Sequence, residues 1–84
     1  MNDDARARRR TIAEAIRRYL ASHPSAADSE LGITEWWLPE LGPVAGVAEV
    51  REALDLLERE GVVEACRLDD GRFVWRASPL RDRG

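Results

Sequence analysis

The chain has 84 residues and a mass of 9.5 kDa, which is the size of one small domain. With 44% hydrophobic and 35% charged residues, its composition is that of a globular protein and excludes a disordered chain. The apolar runs are too short for a membrane span or the core of a signal peptide. A single cysteine excludes an internal disulfide, so we expect a cytoplasmic protein.

The formal net charge is −3, and the two signs are separated along the chain. All 13 basic residues are arginine, which together with the abundant alanine is typical of a bacterial coding bias. Ten acidic residues and only two arginines lie in the range 28–64, whereas the other arginines lie towards the two ends. The middle of the chain therefore favours a basic partner, and the ends favour an acidic one.

The first predicted element is an amphipathic helix over residues 5–22. Four apolar residues from Ile12 to Leu20 recur at the spacing of one helical face. An alternative start is Thr11, which with the glutamate three residues later forms a capping box and would leave the preceding arginines as a flexible arm. We expect His23 and the following proline to end the helix.

A short second helix is predicted next, with Asp28 or Ser29 as its N-terminal cap. At about 100° per residue, Ile33, Trp36 and Trp37 fall within a single apolar arc, so both tryptophans can point inward. The small interior argues against burial of both tryptophans, because each such aromatic side chain would bury roughly 150–250 Å² of surface. We therefore predict that one tryptophan lies in the core and the other at its edge, partly exposed.

A turn-rich connection over residues 39–45 precedes the third helix, predicted over residues 46–60. Apolar residues from Val47 to Leu57 follow a helical period, and Gly61 supplies a stop signal.

The last predicted element is a β-hairpin formed by residues 62–68 and 73–77. Asp70 and Gly71 form a strong two-residue turn signal between the two strands. A turn centred there places Leu68 opposite Phe73 and Cys66 opposite Trp75, on one apolar face with Val62. The opposite face would then carry Val63, Arg67, Val74 and Arg76, and the tail from Ser78 onward is predicted to fray.

The segment VAEVREALDLLEREGVVEACRLDDGRFVWR, residues 47–76, resembles the corresponding part of the winged-helix superfamily. It has a spaced Val/Leu helix, a Gly-Val-Val entry into a strand and an Asp-Gly turn before an aromatic strand. With the two earlier helices, the resemblance covers about residues 5–77. It implies an α+β fold in a single domain over residues 1–84, with three helices followed by a two-stranded wing. Winged helices include bacterial transcription regulators and protein–protein interaction modules.

Two features depart from a DNA-reading winged helix. The connection between the second and third helices is longer than the tight turn of a helix-turn-helix unit. The third helix is acidic on its outward face, which phosphates would repel. We therefore expect a protein–protein interaction module whose exposed tryptophan acts as an anchor. The candidate residues are Trp36, Trp37, Leu38, Leu41, Glu49, Glu52 and Asp55.

The alternative function is a small DNA-binding transcription regulator that grips the phosphate backbone through the N-terminal arginines and the wing. The candidate residues are Arg6, Arg8, Arg9, Arg10, Arg67, Arg72 and Arg76. For both sets, the plainer interpretation is structural: tryptophans that complete a small core, and charges that only solvate a surface. A third alternative is an accessory domain of a multiprotein system, and the oligomeric state stays open, with a homodimer as one alternative.

Catalysis has few candidate groups. His23, the only histidine, is interpreted as a helix-end residue, and Cys66 as a small apolar residue of the hairpin. No spacing indicates a catalytic pair, a phosphate-binding loop or a set of metal ligands. We therefore expect no enzymatic activity, no cofactor and no metal.

Overall fold

The computed structural model of the protein describes residues 3–40 and 44–79. It is a small α+β fold of helices and an antiparallel sheet. In chain order the elements are α1 (Asp3–Ser22), β1 (Ala27–Asp28), α2 (Glu30–Gly32), a π-helical turn (Ile33–Trp37), a 3-10 turn (Leu38–Glu40), α3 (Val47–Arg59), β2 (Val63–Arg67) and β3 (Phe73–Ala77).

Helix α1 begins at Asp3, two residues before the earlier predicted start, and not at the alternative start Thr11. Thr11 lies within the helix, where its hydroxyl donates to the carbonyl of Ala7 at 2.9 Å. The arginines before Thr11 are therefore helical. At the other end, the backbone N–H of His23 donates to the carbonyl of Tyr19 at 2.8 Å, and the helix ends where it was predicted to end.

The second helical segment, residues 30–40, changes its hydrogen-bond pattern twice. Ser29 caps it, as one of the two predicted alternatives, because its hydroxyl accepts from the N–H of Gly32 at 3.1 Å. The N–H of Leu38 then donates to the carbonyl of Ile33, five residues earlier, which defines the π-helical turn. This turn was not predicted.

Helix α3 spans Val47–Arg59, one residue shorter at each end than predicted. Its buried stripe consists of Val50, Ala53, Leu54 and Leu57, and it packs against α1. Val47 was assigned to this stripe but lies exposed at its margin.

The sheet has three strands in the order β1-β3-β2, and the short edge strand β1 was not predicted. The predicted register of the hairpin is wrong by one residue, since Ala65 lies opposite Trp75 and Arg67 opposite Phe73. The N–H of Leu68 donates to the carbonyl of Arg72, which leaves a loop of three residues, not two. Gly71 closes this loop with φ 91°, a conformation that glycine adopts without a steric penalty.

This shift in register changes the faces of the hairpin. Val63 shares the buried face with Trp75, although it was predicted on the other face. Cys66 lies opposite Val74 on the other face, where it is partly buried, so its predicted place beside Trp75 is wrong.

One core joins the helices to the sheet. Its largest fully buried side chains are Ile12, Ile16, Ile33, Leu38, Leu54, Leu57 and Val50.

Candidate functional site

The two adjacent tryptophans have opposite environments. Trp37 is 3% exposed and belongs to the core, whereas Trp36 is 70% exposed. The prediction that one lies in the core and the other at its edge is confirmed. The π-helical turn contains both residues. Such turns are rare in proteins overall, but many of those that occur lie at functional sites.

Trp37 is fixed by aromatic stacking. Its ring lies 4.5 Å from the ring of Tyr19, at an angle of 9° between their planes. The ring of His23 also stacks on the ring of Tyr19, with 4.3 Å between the ring centres. The Nδ1 atom of His23 also lies 3.1 Å from the Tyr19 carbonyl, in keeping with its predicted place at the helix end. This stack joins Trp37, the residue next to Trp36, to Tyr19 of α1.

Of the other predicted anchor residues, Leu38 is buried in the core, so its side chain adds nothing to the exposed surface around Trp36. Leu41 lies outside the described residues.

The acidic residues of α3 line two different depressions of the surface. Glu49 and Glu52 line a crevice against α1, while Asp55 lines a groove on the side facing the sheet. Glu49 pairs with Arg8, and the Nη2 atom of Arg8 donates to the Oε1 atom of Glu49 at 3.1 Å. The backbone N–H of Gly46 donates to the same oxygen at 3.0 Å. The Arg8 guanidinium, followed by the Gly46 N–H, lowers the pKa of Glu49 to about 2. Glu52 and Asp55 are exposed.

The N-terminal arginines differ in how far they are engaged. Arg8 donates to the carbonyl of Val44 as well as to Glu49, and the Glu49 carboxylate raises the pKa of the Arg8 guanidinium. Arg10 pairs with Glu60 at 3.1 Å. Arg9 is partly buried in the crevice beside α3, and Arg6 is exposed.

The hairpin arginines are also engaged. Arg72 lies 2.7 Å from Asp70, and the backbone N–H of Arg72 lowers the pKa of that carboxyl, with its guanidinium adding to the effect. Arg76 lies 2.7 Å from Glu64, and this hydrogen bond raises the pKa of the Arg76 guanidinium. The guanidinium carbon of Arg67 lies 5.8 Å from the centre of the Phe73 ring.

The structure also forms an apolar groove that the sequence did not predict. It has a volume of about 640 Å³ and runs between the start of the second helical segment, α3 and the hairpin. Its apolar lining comes from Leu31, Val47, Ala65, Phe73 and Trp75. Leu31 gave the sequence a partial signal of this groove, because it lies outside the apolar arc of Ile33, Trp36 and Trp37. The other lining residues come from distant parts of the chain, and no local pattern groups them with Leu31.

Nothing in the described parts of the chain resembles a metal centre, because no three His, Cys, Asp or Glu side chains come together there. Within residues 3–40 and 44–79, no helix is long and apolar enough to cross a membrane.

No protein-family model matches this chain, and no match was found among curated proteins or solved structures. Its function must therefore be inferred from the chemistry of its own surface.

Proposed function

We propose that this chain is a non-enzymatic protein-interaction module of a bacterial cytosolic system, with a winged-helix fold. It binds another protein through Trp36, supported by the exposed acidic residues of α3. The observation that carries this proposal is the 70% exposure of Trp36 beside a tryptophan that fills the core.

An exposed tryptophan offers a large gain on binding. Its side chain can bury roughly 150–250 Å², and about 25 cal/mol is gained for each Å² removed from water. With 70% of Trp36 still exposed, a partner that covers it completely gains about 2.5–4 kcal/mol. This is the size of contribution that a binding hot spot makes.

The surroundings of Trp36 reduce the cost of binding. Ile33, Trp37 and Leu38 are all buried, so the segment that carries Trp36 is anchored on both sides of it. A rigid backbone loses little conformational entropy when a partner binds. Trp36 is therefore presented on a preorganised support.

The winged-helix part of the proposal draws support from the order of the elements. Three helical segments precede a hairpin, in the order that the resemblance implies. The short strand β1 adds an edge to this hairpin by pairing with β3.

DNA binding is the second candidate, favoured by the resemblance and by the exposed arginines of the hairpin. Several of the arginines it requires already have carboxylate partners: Arg8, Arg10, Arg72 and Arg76. A phosphate would have to compete with these carboxylates. Glu52 and Asp55 would also face the DNA if α3 entered a groove.

Site-specific photo-cross-linking in cells of the native organism tests the protein-interaction proposal. A photoreactive phenylalanine analogue replaces Glu35, the exposed neighbour of Trp36, in one variant and Arg18, an exposed residue of α1, in the control, so that Trp36 itself is kept. We expect a discrete adduct with another protein from position 35 and none from position 18. Matching adducts from both positions, or none from position 35, would contradict the proposal, and an adduct between two copies would identify a homodimer.

Fluorescence anisotropy with a labelled mixed-sequence duplex tests the second candidate. Binding through several arginines would be tight at low salt and would weaken steeply as salt is added. We expect no saturable binding. Micromolar binding with a steep salt dependence would favour the regulator instead.

A further inference from the structure

The groove between α3 and the hairpin is open, apolar at its base and charged along its rim. Its large exposed apolar residues come from three elements that are distant in sequence: Leu31 from α2, Val47 from α3 and Phe73 from β3. Leu31 and Phe73 are each 53% exposed and Val47 is 39% exposed, while Trp75 forms a buried base. Trp36 is not among the lining residues, so the groove is a separate surface.

Exposed apolar side chains that converge on one concave surface indicate a binding site, in contrast to single exposed apolar residues. A volume of about 640 Å³ is enough for several side chains of a bound segment. The sides of the groove are themselves exposed, so it suits a segment that lies along it more than a small molecule that must be enclosed.

The rim of the groove carries an excess of negative charge. Its two arginines already lie near carboxylates: Arg51 is 3.9 Å from Glu30, and Arg72 is 2.7 Å from Asp70. Asp55 and Glu58 also line the groove, and neither forms an ion pair with any of the residues that the structure describes.

Asp55 and Glu58 act together because of their spacing on α3. Three residues apart, they are neighbours on the helix surface. Their side of α3 is also the side of Val47 and Arg51, since all four line the groove. A bound segment would therefore meet apolar side chains at the start of α3 and two carboxylates farther along it.

We propose that this groove binds a short amphipathic segment of a partner protein that carries apolar residues followed by arginine or lysine. The apolar side chains lie between Leu31, Val47 and Phe73, and the basic side chain faces Asp55 and Glu58. This proposal rests on the proposed function, because both require that the ligand is a protein. Charge complementarity selects this occupant, because the two carboxylates repel both a nucleic acid and an acidic peptide.

Selection from a random peptide library displayed on phage tests the proposal, with the full chain as the immobilised target. We expect the enriched peptides to combine two or more large apolar residues with an arginine or lysine. A synthetic peptide of the enriched sequence, labelled for fluorescence anisotropy, then serves as the probe for variants.

The variants separate the groove from the rest of the surface. Phe73→Ser and the double variant Asp55→Arg/Glu58→Arg should each weaken peptide binding at least 10-fold, because they remove the apolar and the acidic contacts. The matched controls are Glu14→Arg, an exposed acidic position on α1 that does not line the groove, and Trp36→Ser. Both should bind the peptide within about 2-fold of the original chain. All five substituted positions are exposed, and circular dichroism verifies that each variant is folded.

Each contrary result has a distinct meaning. No enriched peptide, or peptides without basic residues, would overturn the groove proposal. Binding that Trp36→Ser abolishes and the groove variants leave unchanged would also overturn it, while supporting the proposed function at Trp36. Concentration-dependent self-association that Phe73→Ser removes, measured by sedimentation, would assign the groove to a second copy of this chain and refute the proposal.

Discussion

The opposite environments of Trp36 and Trp37 predict very different costs for the same substitution. Trp37→Ala should lower the free energy of unfolding by about 3–5 kcal/mol, because it empties a core position and removes the stack on Tyr19. Trp36→Ala should change it by no more than about 1 kcal/mol, since most of the ring is already in water. The two variants make the same chemical change at neighbouring positions, so each is a control for the other.

The expected loss at Trp37 is large for a domain of this size. At about 0.05–0.15 kcal/mol for each residue, a chain of 84 residues has a total stability of about 4–13 kcal/mol. Trp37→Ala can therefore leave the domain largely unfolded. Trp37→Phe keeps a ring against Tyr19, and we expect it to cost about 1–2 kcal/mol.

The assay is urea denaturation followed by far-UV circular dichroism, because tryptophan fluorescence changes with the substitutions themselves. The midpoint should fall markedly for Trp37→Phe and little for Trp36→Ala, with an unchanged slope. Equal shifts of the midpoint, or a larger shift for Trp36→Ala, would refute the assignment of Trp37 to the core and of Trp36 to a free surface.

Three further predictions concern stability. Glu49→Gln should lower the urea midpoint at neutral pH, because the charged carboxylate of Glu49 stabilises the fold. The difference between the two proteins should shrink as the pH falls from 4.5 towards about 2, where Glu49 becomes protonated in the folded state as well. A constant difference across this range would contradict the pairing with Arg8. Gly71→Ala should cost about 1 kcal/mol in urea denaturation, because an alanine is strained at φ 91°, and a neutral result would argue against the three-residue loop. Gly32→Ala should cost about 1–3 kcal/mol, because its Cβ would lie 1.9 Å from an oxygen of Asp28. Adding Asp28→Ala should recover part of that loss, and strict additivity of the two changes would contradict the contact.

The positions of α1 and α3 could be predicted because each has a long apolar period and a clear stop signal. The register of the hairpin could not, because Asp70 and Gly71 fit both a two-residue and a three-residue loop. Asp70 accepts from the backbone N–H of Arg72 at 3.0 Å, and this contact is part of the longer loop. Strand β1 has two residues, too few to show an alternating pattern.

The candidate site was predicted only in part. The limited volume of the core indicated that one tryptophan is exposed, but an α-helical projection places both on the same side and cannot choose between them. The pairing of Arg8 with Glu49 joins residues 41 positions apart, and no local pattern reveals it. The groove likewise depends on the tertiary approach of Leu31, Val47 and Phe73.

The π-helical turn at Ile33–Trp37 has a consequence for how this surface can change in evolution. One residue between Ile33 and Leu38 is surplus to an ordinary helical turn, because the Leu38 N–H reaches a carbonyl five residues back, not four. Deletion of Thr34 or Glu35 would allow a regular helix to form with Ile33 and Leu38 still in the core. The intervening side chains would then rotate relative to the core. Homologues that differ by one residue in this turn could thus gain or lose the exposed tryptophan in a single step, while the interior that supports it is kept.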